Sequence, residues 1–368
     1  VPSVIGLKIG LLLIAIGSGG IKPCVSANVG DQFADHEKDK MREVFNIFYF
    51  TINFGSFFAT LLIPLLLAKF GPKTAFTAPA ILMALATFIF WLGRHQYVRR
   101  PPTGLNPHGV VPVLWTALKN WRPLEGKPFL AGALTKHRPQ DIAAVQAVGR
   151  ITGIFLLVSC FWALFDQHSS TWITQASNMN GHINLHLGAW SVTEILPSQM
   201  ASLNPILVMI LIPIFVKFIY PALKESGLKV TPLRKMSAGM VLAALAFFEV
   251  AAIEWFLSQG MQLHMLWQFF PYLTLTMAEV LVSVTGLEFA YTQAPASMKS
   301  TIMSLWLMTT VLGNVLTASL AAHTFSLLPH ASPETNFFFF FGVLMALFSL
   351  VFIVASCFYQ YVEANPEH

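Results

Sequence analysis

Apolar residues fall along this chain in long blocks, separated by short stretches that carry most of the lysines and arginines. About twenty predominantly apolar residues cross a bilayer as a helix. Nine blocks meet that length closely: residues 5–29, 44–68, 75–92, 151–176, 203–220, 236–257, 266–291, 301–322 and 337–362. The pattern predicts nine transmembrane helices. The one long interruption, residues 93–150, is rich in proline and basic residues and divides three spans from six. Within it "VVPVLWTALKNW" gathers apolar and aromatic residues on roughly one face. Such a segment could lie along a membrane surface or form an irregular linker.

Composition agrees with the pattern. The 368 residues are 55% hydrophobic and only 11% charged, where a soluble domain carries about 25% charge. Mean hydropathy is +0.64. A chain so poor in charge cannot cover itself with water-facing groups, so a polytopic membrane protein is expected. The net charge of +5 is then a matter of topology, with no nucleic-acid partner implied. Counting Lys and Arg loop by loop, alternate loops hold 18 against 2. By the positive-inside rule the rich set is cytoplasmic: the first span runs inward and the C-terminus is cytoplasmic. An odd number of spans starting outside points to something missing at the front. The start at Val1, without a basic n-region or cleavage site, is read as carrying no signal peptide.

The chemistry lies in the charges inside the spans, where each ionisable group is costly. Lys22 sits in "GSGGIKPCVS", Asp166 in "FWALFDQ" and Glu279 in "TMAEVLVSVTG". Glu249, Glu254 and Glu288 lie in the sixth and seventh spans. A charge near a span end can snorkel to the interface. That suits Glu254 and Glu288, is open to Lys22, and leaves Glu249 ambiguous. Asp166 and Glu279 are too deep and too short for it, so a functional role is expected for both. The amides Asn53 and Asn204 could bond a neighbouring helix or face a polar cavity; spacing alone does not choose.

Other features read as packing or surface. Gly17–Gly20 lacks the G-K-[ST] of a phosphate loop and reads as close helix packing. Pro64, Pro79, Pro205, Pro213 and Pro271 predict kinks. Cys24, Cys160 and Cys357 lie in apolar runs without a C-x-x-C pair and read as small packing residues. His182 and His186 have no acidic or cysteine neighbour and read as surface residues, so no metal or other cofactor is expected. The H-E-x-x-H and G-x-S-x-G patterns of intramembrane hydrolysis are absent, so the reading is not an enzyme.

Four stretches then carry a resemblance. "GSGGIKPCVSANVGDQF", "FNIFYFTINFGSFF", "FWALFDQ" and "SVTGLEFAYTQAPASMKS" together resemble the proton-dependent oligopeptide transporters of the major facilitator superfamily. Phe54 departs from the second signature, which prefers a small or aliphatic residue there. The resemblance implies an all-α fold of twelve spans in two bundles, of which these nine look like spans four to twelve. It also implies that the first three spans, with the family's E-x-x-E-R-F motif, are not in this chain, and that these residues alone do not concentrate a solute. The two extra helices of many bacterial members have no counterpart in residues 93–150. Domains follow: 1–93 the remainder of the N-terminal bundle, 94–150 a cytoplasmic linker, 151–368 the C-terminal bundle.

By the same resemblance Asp166 is the proton-linked acid, and Lys22 interacts with it and with the peptide carboxylate. Glu279 receives the peptide amine, and Asn53 and Asn204 help to hold the peptide ends. Trp162 and Trp306 are pocket aromatics, unless they are simply core or lipid-facing tryptophans. The implied function is proton-driven import of di- and tripeptides across the cell membrane by alternating access. A different small solute such as nitrate, or a non-transporting scaffold, are the alternatives.

Overall fold

The computed structural model describes residues 4–32, 38–98, 106–121, 129–187, 190–227, 230–295, 298–321, 323 and 325–361. Two compact units form. One comprises Val1–Asn53 and Leu66–Gly104, the other Phe54–Leu65 and Leu105–His368.

The first unit holds α1 (Val4–Asp31) and most of α2 (Lys38–Leu92). The Gly17–Gly20 run lies inside continuous helix, and no atom comes within 4 Å of where a Cβ would sit on Gly17, Gly19 or Gly20. The run is therefore neither a phosphate loop nor a close crossing with any described neighbour. At 55 residues, α2 would be about 80 Å long as a straight helix, far beyond a hydrocarbon thickness of roughly 30 Å. It is interrupted at Gly71, with φ 79° and ψ 177°, a conformation open to glycine and strained for other residues. Gly71 falls between the two spans expected at 44–68 and 75–92. Among the described residues, eight helical segments are apolar and long enough to span a membrane. Dividing the segment Ile47–His95 at Gly71 gives the nine spans that the sequence pattern predicts.

Besides Phe54–Leu65, the second unit is built from residue 105 onward. A short amphipathic helix, α3 (Val110–Lys119), buries Val113 and Ala117 and leaves Val111, Trp115 and Leu118 outward. Residues 129–135 form a 3-10 segment against it. Next come α4 (Pro139–Phe165), α5 (Thr171–Ser177), α6 (Leu203–Ile214), α7 (Tyr220–Glu225) and α8 (Pro232–Ser258). They are followed by α9 (Phe269–Glu279), α10 (Thr285–Gln293), α11 (Lys299–Leu320) and α12 (Pro333–Phe358). A hairpin of β1 (His182–Leu187) and β2 (Trp190–Glu194) joins α5 to α6, with His182 opposite Glu194 and His186 opposite Ser191.

The helices pack mainly as α8 on α12, α4 on α11 and α8 on α9. α12 shows how an all-apolar helix chooses its face. Phe338, Phe341, Met345 and Phe352 are buried, while Leu347, Leu350, Val351, Val354 and Phe358 point out. Both stripes are hydrophobic, as a lipid-facing helix requires. At the centre, Trp172 packs edge-on to Tyr272 with centroids 5.1 Å apart and leans on Phe247 at 5.7 Å.

Not every proline does what its position in the pattern predicts. Pro205 and Pro271 fall in the first turns of α6 and α9, where the missing N–H is no loss. Pro213 lies in the last turn of α6 and is followed by a π-helical turn at Phe215–Ile219. The break in α2 is at Gly71, and neither Pro64 nor Pro79 interrupts its helical backbone angles.

Glu254 also differs from its sequence reading. It does not snorkel: it is buried at 7% exposure and accepts a hydrogen bond from Gln175 Nε2 at 2.7 Å. Gln268 Nε2 in turn donates to Gln175 Oε1 at 3.0 Å and to the Trp172 carbonyl at 2.9 Å. This chain of amides supplies the partner that a buried carboxyl needs and ties α5 and α8 to the entry of α9.

Helix approach is closest where α11 crosses α4. A Cβ on Gly313 would stand 2.5 Å from the Ser159 carbonyl oxygen and 2.8 Å from Trp162 Cβ. Gly313→Val is therefore expected to push the two helices apart and to destabilise the second unit by about 1–3 kcal/mol, whereas Leu347→Ala on the outward face of α12 costs far less. Thermal unfolding in detergent compares the two; equal midpoints would contradict the close crossing.

Candidate functional site

The long apolar run around Asp166 is not one helix. α4 ends at Phe165, and Asp166 is its C-cap. Residues 166–169 form a 3-10 turn before α5 begins. The sequence D-Q-H-S-S explains the break. Ser169 Oγ donates to the Asp166 carbonyl at 3.0 Å, and His168 Nδ1 lies 2.5 Å from the Phe165 carbonyl, so side chains compete for the backbone acceptors that would continue the helix. Irregular backbone at this depth is tolerated where it is buried or lines a cavity.

A carboxylate at a helix C-terminus opposes the helix dipole, so Asp166 needs a donor from elsewhere. Asn314 of α11 provides it: Nδ2 donates to Asp166 Oδ2 at 2.7 Å. Trp162 sits one helical turn before Asp166, and Trp306 two turns before Asn314, so the two faces meet in register. The indoles pack edge to face with centroids 6.3 Å apart. Trp306 is buried against Phe155, and Gly286 leaves room for its ring, which would overlap any Cβ at that position. The Trp162 Nε1–H is buried and has no hydrogen-bond acceptor among the described residues.

The second acidic centre is built by α6 and α9. Glu279 ends α9, and a π-helical turn, Val280–Val284, follows at once. Asn204, in the first turn of α6, donates Nδ2 to Glu279 Oε2 at 2.7 Å and to Thr276 Oγ1 at 3.3 Å. Thr276 is fixed by its own donation to the Tyr272 carbonyl at 2.7 Å. The Asp166 and Glu279 carboxyl groups are near enough to interact electrostatically. No lysine or arginine pairs with either among the described residues.

The structure thus brings together Asp166, Trp162, Trp306, Glu279 and Asn204. Of the two readings open to Asn204, it takes the bond to a neighbouring helix. Asn53, in the other unit, donates Nδ2 to the Tyr49 carbonyl of its own helix at 2.9 Å. Lys22 lies within α1, but its side chain is outside the described residues. Asn314 is the residue that sequence reasoning passed over; its only signal was an amide eight residues beyond Trp306 in an otherwise apolar span. Glu249, left ambiguous, is half-buried and accepts from Thr274 Oγ1 at 3.1 Å. Glu288 is exposed, with Lys235 Nζ 3.8 Å away. Among the described residues no group of three or more His, Cys, Asp or Glu could hold a metal. A separate apolar cavity of about 970 Å³, lined by Leu61, Leu65, Leu203, Trp267 and Phe270 among others, includes none of the acidic centres above.

Known proteins match this chain in sequence and in helical framework. Residues 3–332 match the model of the POT family. The chain belongs to the POT family. It is 40% identical over 266 residues to "Peptide transporter family 1" of Drosophila melanogaster, covering 68% of this chain and 34% of that protein. It is 38% identical over 260 residues to human "Solute carrier family 15 member 1", covering 67% of this chain and 36% of the relative. The chain thus spans about a third of the length of these relatives. Among solved structures, an "auto inhibited POT family peptide transporter" superposes with a TM-score of 0.87 at 37% identity. That match covers all of this chain and 80% of the other. The POT family transporter PepTSo gives 0.85 at 38% identity, over 96% and 79%. The all-α membrane fold of POT transporters, with major facilitator architecture, is therefore that of this chain.

The bond between Asn204 and Glu279 is measurable directly. A double-mutant cycle with Asn204→Ala and Glu279→Gln is expected to show a coupling of about 1.5–3 kcal/mol in thermal or chemical unfolding, the range for a hydrogen bond to a charged group. Additive effects would show that the two side chains do not support each other.

Proposed function

We propose that the protein imports di- and tripeptides across the cell membrane together with protons, by alternating access. The observation that carries this reading is the pair of deep carboxyl groups, Asp166 and Glu279, each held by an amide and neither by a described cation. A buried carboxylate needs a positive partner, and the ammonium end of a short peptide can supply one. Membership of the POT family, and the names of relatives 38–40% identical, support the same reading.

In this mechanism Asp166 takes the proton. Protonation removes its charge, and with it the attraction to a cation; Lys22 is the cation the resemblance implies. Loss of that attraction biases a two-state equilibrium between closed and open arrangements. Glu279 takes the peptide ammonium, and Asn204 holds its carboxyl in one rotamer to do so. Trp162 offers an unpaired indole N–H beside Asp166 and, with Trp306, an apolar wall for side chains of any peptide. The backbone ends are the features all short peptides share, so charges at fixed positions recognise the class. Protons are a sufficient drive. One charge moving through ~100 mV releases about 2.3 kcal/mol, enough for roughly a fifty-fold gradient of a neutral peptide.

The basic loops, including those carrying Lys136, Arg138, Lys217 and Lys224, are assigned to the cytoplasmic side with the C-terminus. The domain division at residues 93 and 150 follows from the same topology.

Uptake of labelled dipeptide into proteoliposomes, with and without an imposed pH gradient, tests the function. Accumulation above equilibrium only with the gradient is expected of the full-length protein, in which the variants below are also made, and not of residues 1–368 alone. Accumulation of nitrate instead would reassign the substrate, and no flux of either would leave a scaffold. Asp166→Asn is expected to abolish uphill uptake while peptide exchange continues at a reduced rate; unchanged pH-driven accumulation by this variant would remove Asp166 from proton coupling. Glu279→Gln is expected to weaken peptide binding roughly ten- to hundred-fold. Acetylating the peptide amine should then cost the wild type heavily and the variant little. An equal cost to both would show that Glu279 does not read the amine.

A further inference from the structure

Two histidines outside the spans form a part-buried contact that neither the transport reading nor the sequence motifs use. His137 is 4% exposed and directly precedes the first turn of α4; His108 immediately precedes α3. Their Nδ1 atoms are 3.0 Å apart, and their rings meet at 90°. His137 Nε2 lies 2.9 Å from Thr116 Oγ1.

The proton positions follow by elimination. Thr116 has one hydroxyl proton, and it goes to the Pro112 carbonyl at 2.8 Å. Thr116 Oγ1 must therefore accept from His137, so His137 Nε2 carries a hydrogen. In neutral His137 the Nδ1 is then a lone pair, and it accepts from His108 Nδ1–H. One extra proton is tolerated. If it adds to His108 Nε2, the Nδ1–H···Nδ1 bond survives, with Asp141 Oδ2 3.8 Å from His108 Nδ1. If it adds to His137 Nδ1, that atom donates to His108 instead. A second proton is not tolerated, because two N–H groups on two cations would then point at each other across 3.0 Å with one ring buried.

We propose that His108 and His137 form an acid-labile latch, which pins α3 to the start of α4 until both rings are protonated. Histidine is the side chain that ordinarily changes charge in this range of pH. The surrounding charges do not override the pair. On α4 the acidic group is Asp141, itself accepting from the Arg138 backbone N–H at 3.3 Å; Arg150 lies two turns or more beyond. Lys136 and Arg138 flank His137 and are exposed, as is Lys119 in the last turn of α3. The 3-10 segment 129–135 contributes no ionisable side chain. Apart from Asp141, the ionisable side chains named on these elements are basic. The latch joins α3 to α4, whose far end carries Asp166. Resting on the cytoplasmic placement proposed above, its role is to report acidification of the compartment into which protons are delivered.

Hydrogen–deuterium exchange on the native protein in lipid nanodiscs, corrected for the intrinsic pH dependence of exchange, tests the latch without any transport. Between pH 8 and pH 5, protection of the α3 amides should fall at least tenfold in the wild type, while that of α8 stays constant. His137→Gln keeps a donor for Thr116 and an acceptor for His108 but cannot gain the second proton, and α3 should stay protected in this variant at pH 5. His108→Gln should behave alike, and serves if the first variant misfolds. Unchanged α3 protection in the wild type, or equal loss in the wild type and both variants, would overturn the proposal. Labelling of Lys119→Cys from one side of sealed vesicles locates the segment; labelling from outside alone would overturn the cytoplasmic role and leave the transport assay and the exchange result separately readable.

Discussion

Carboxyl groups inside an apolar bundle must have partners, and for three of them in this protein the partners are amides. Asn204 holds Glu279 at 2.7 Å, Asn314 holds Asp166 at 2.7 Å, and Gln175 holds Glu254 at 2.7 Å. Each bond crosses from one helix to another, so the pairs also fix which helices lie side by side. An amide can satisfy a carboxyl whether or not the acid carries its proton, because it offers a donor and an acceptor. A lysine could satisfy only the charged form. Amide pairing therefore keeps the bundle intact through a change of protonation, as the proposed proton coupling at Asp166 would require.

The rest of the second unit supports these contacts. Gly313 lets α11 approach α4 closely enough for Asn314 to reach Asp166, and Gly286 makes room for the Trp306 ring that walls the same place. The break after Phe165 and the π-helical turn after Glu279 put both acids at discontinuities of the helices, where backbone geometry is freer to change. Such interruptions often mark functional positions in helices. The Trp162 indole N–H, without an acceptor among the described residues, belongs to the same cluster.

Much of this was legible in the sequence. Nine spans, their order and the odd status of Asp166 and Glu279 follow from block length and from the cost of charge in hydrocarbon. The kink in the long second helix lies where Lys69, Gly71 and Lys73 interrupt the apolar run. Other features were not legible. Glu254 lies close to a span end, so snorkelling was the natural expectation, and nothing local reveals that Gln175, 79 residues earlier in the chain, reaches it. Asn314 sits amid apolar residues with no charge beside it to draw notice, and the proline positions predict kinks that first-turn placement makes unnecessary.

What the sequence determined by itself is the set of groups that cannot rest in lipid alone, and the lengths of chain that can. Those are local properties, set by side-chain polarity and by the rise of a helix. Only the tertiary structure decided which amide answers which acid, which face of each apolar helix turns inward, and that His108 and His137 meet. These are matters of helix rotation and close approach between distant segments. Where both faces of a helix are hydrophobic, periodicity carries no signal for them, and packing shape and the need to satisfy a few buried polar atoms make the choice.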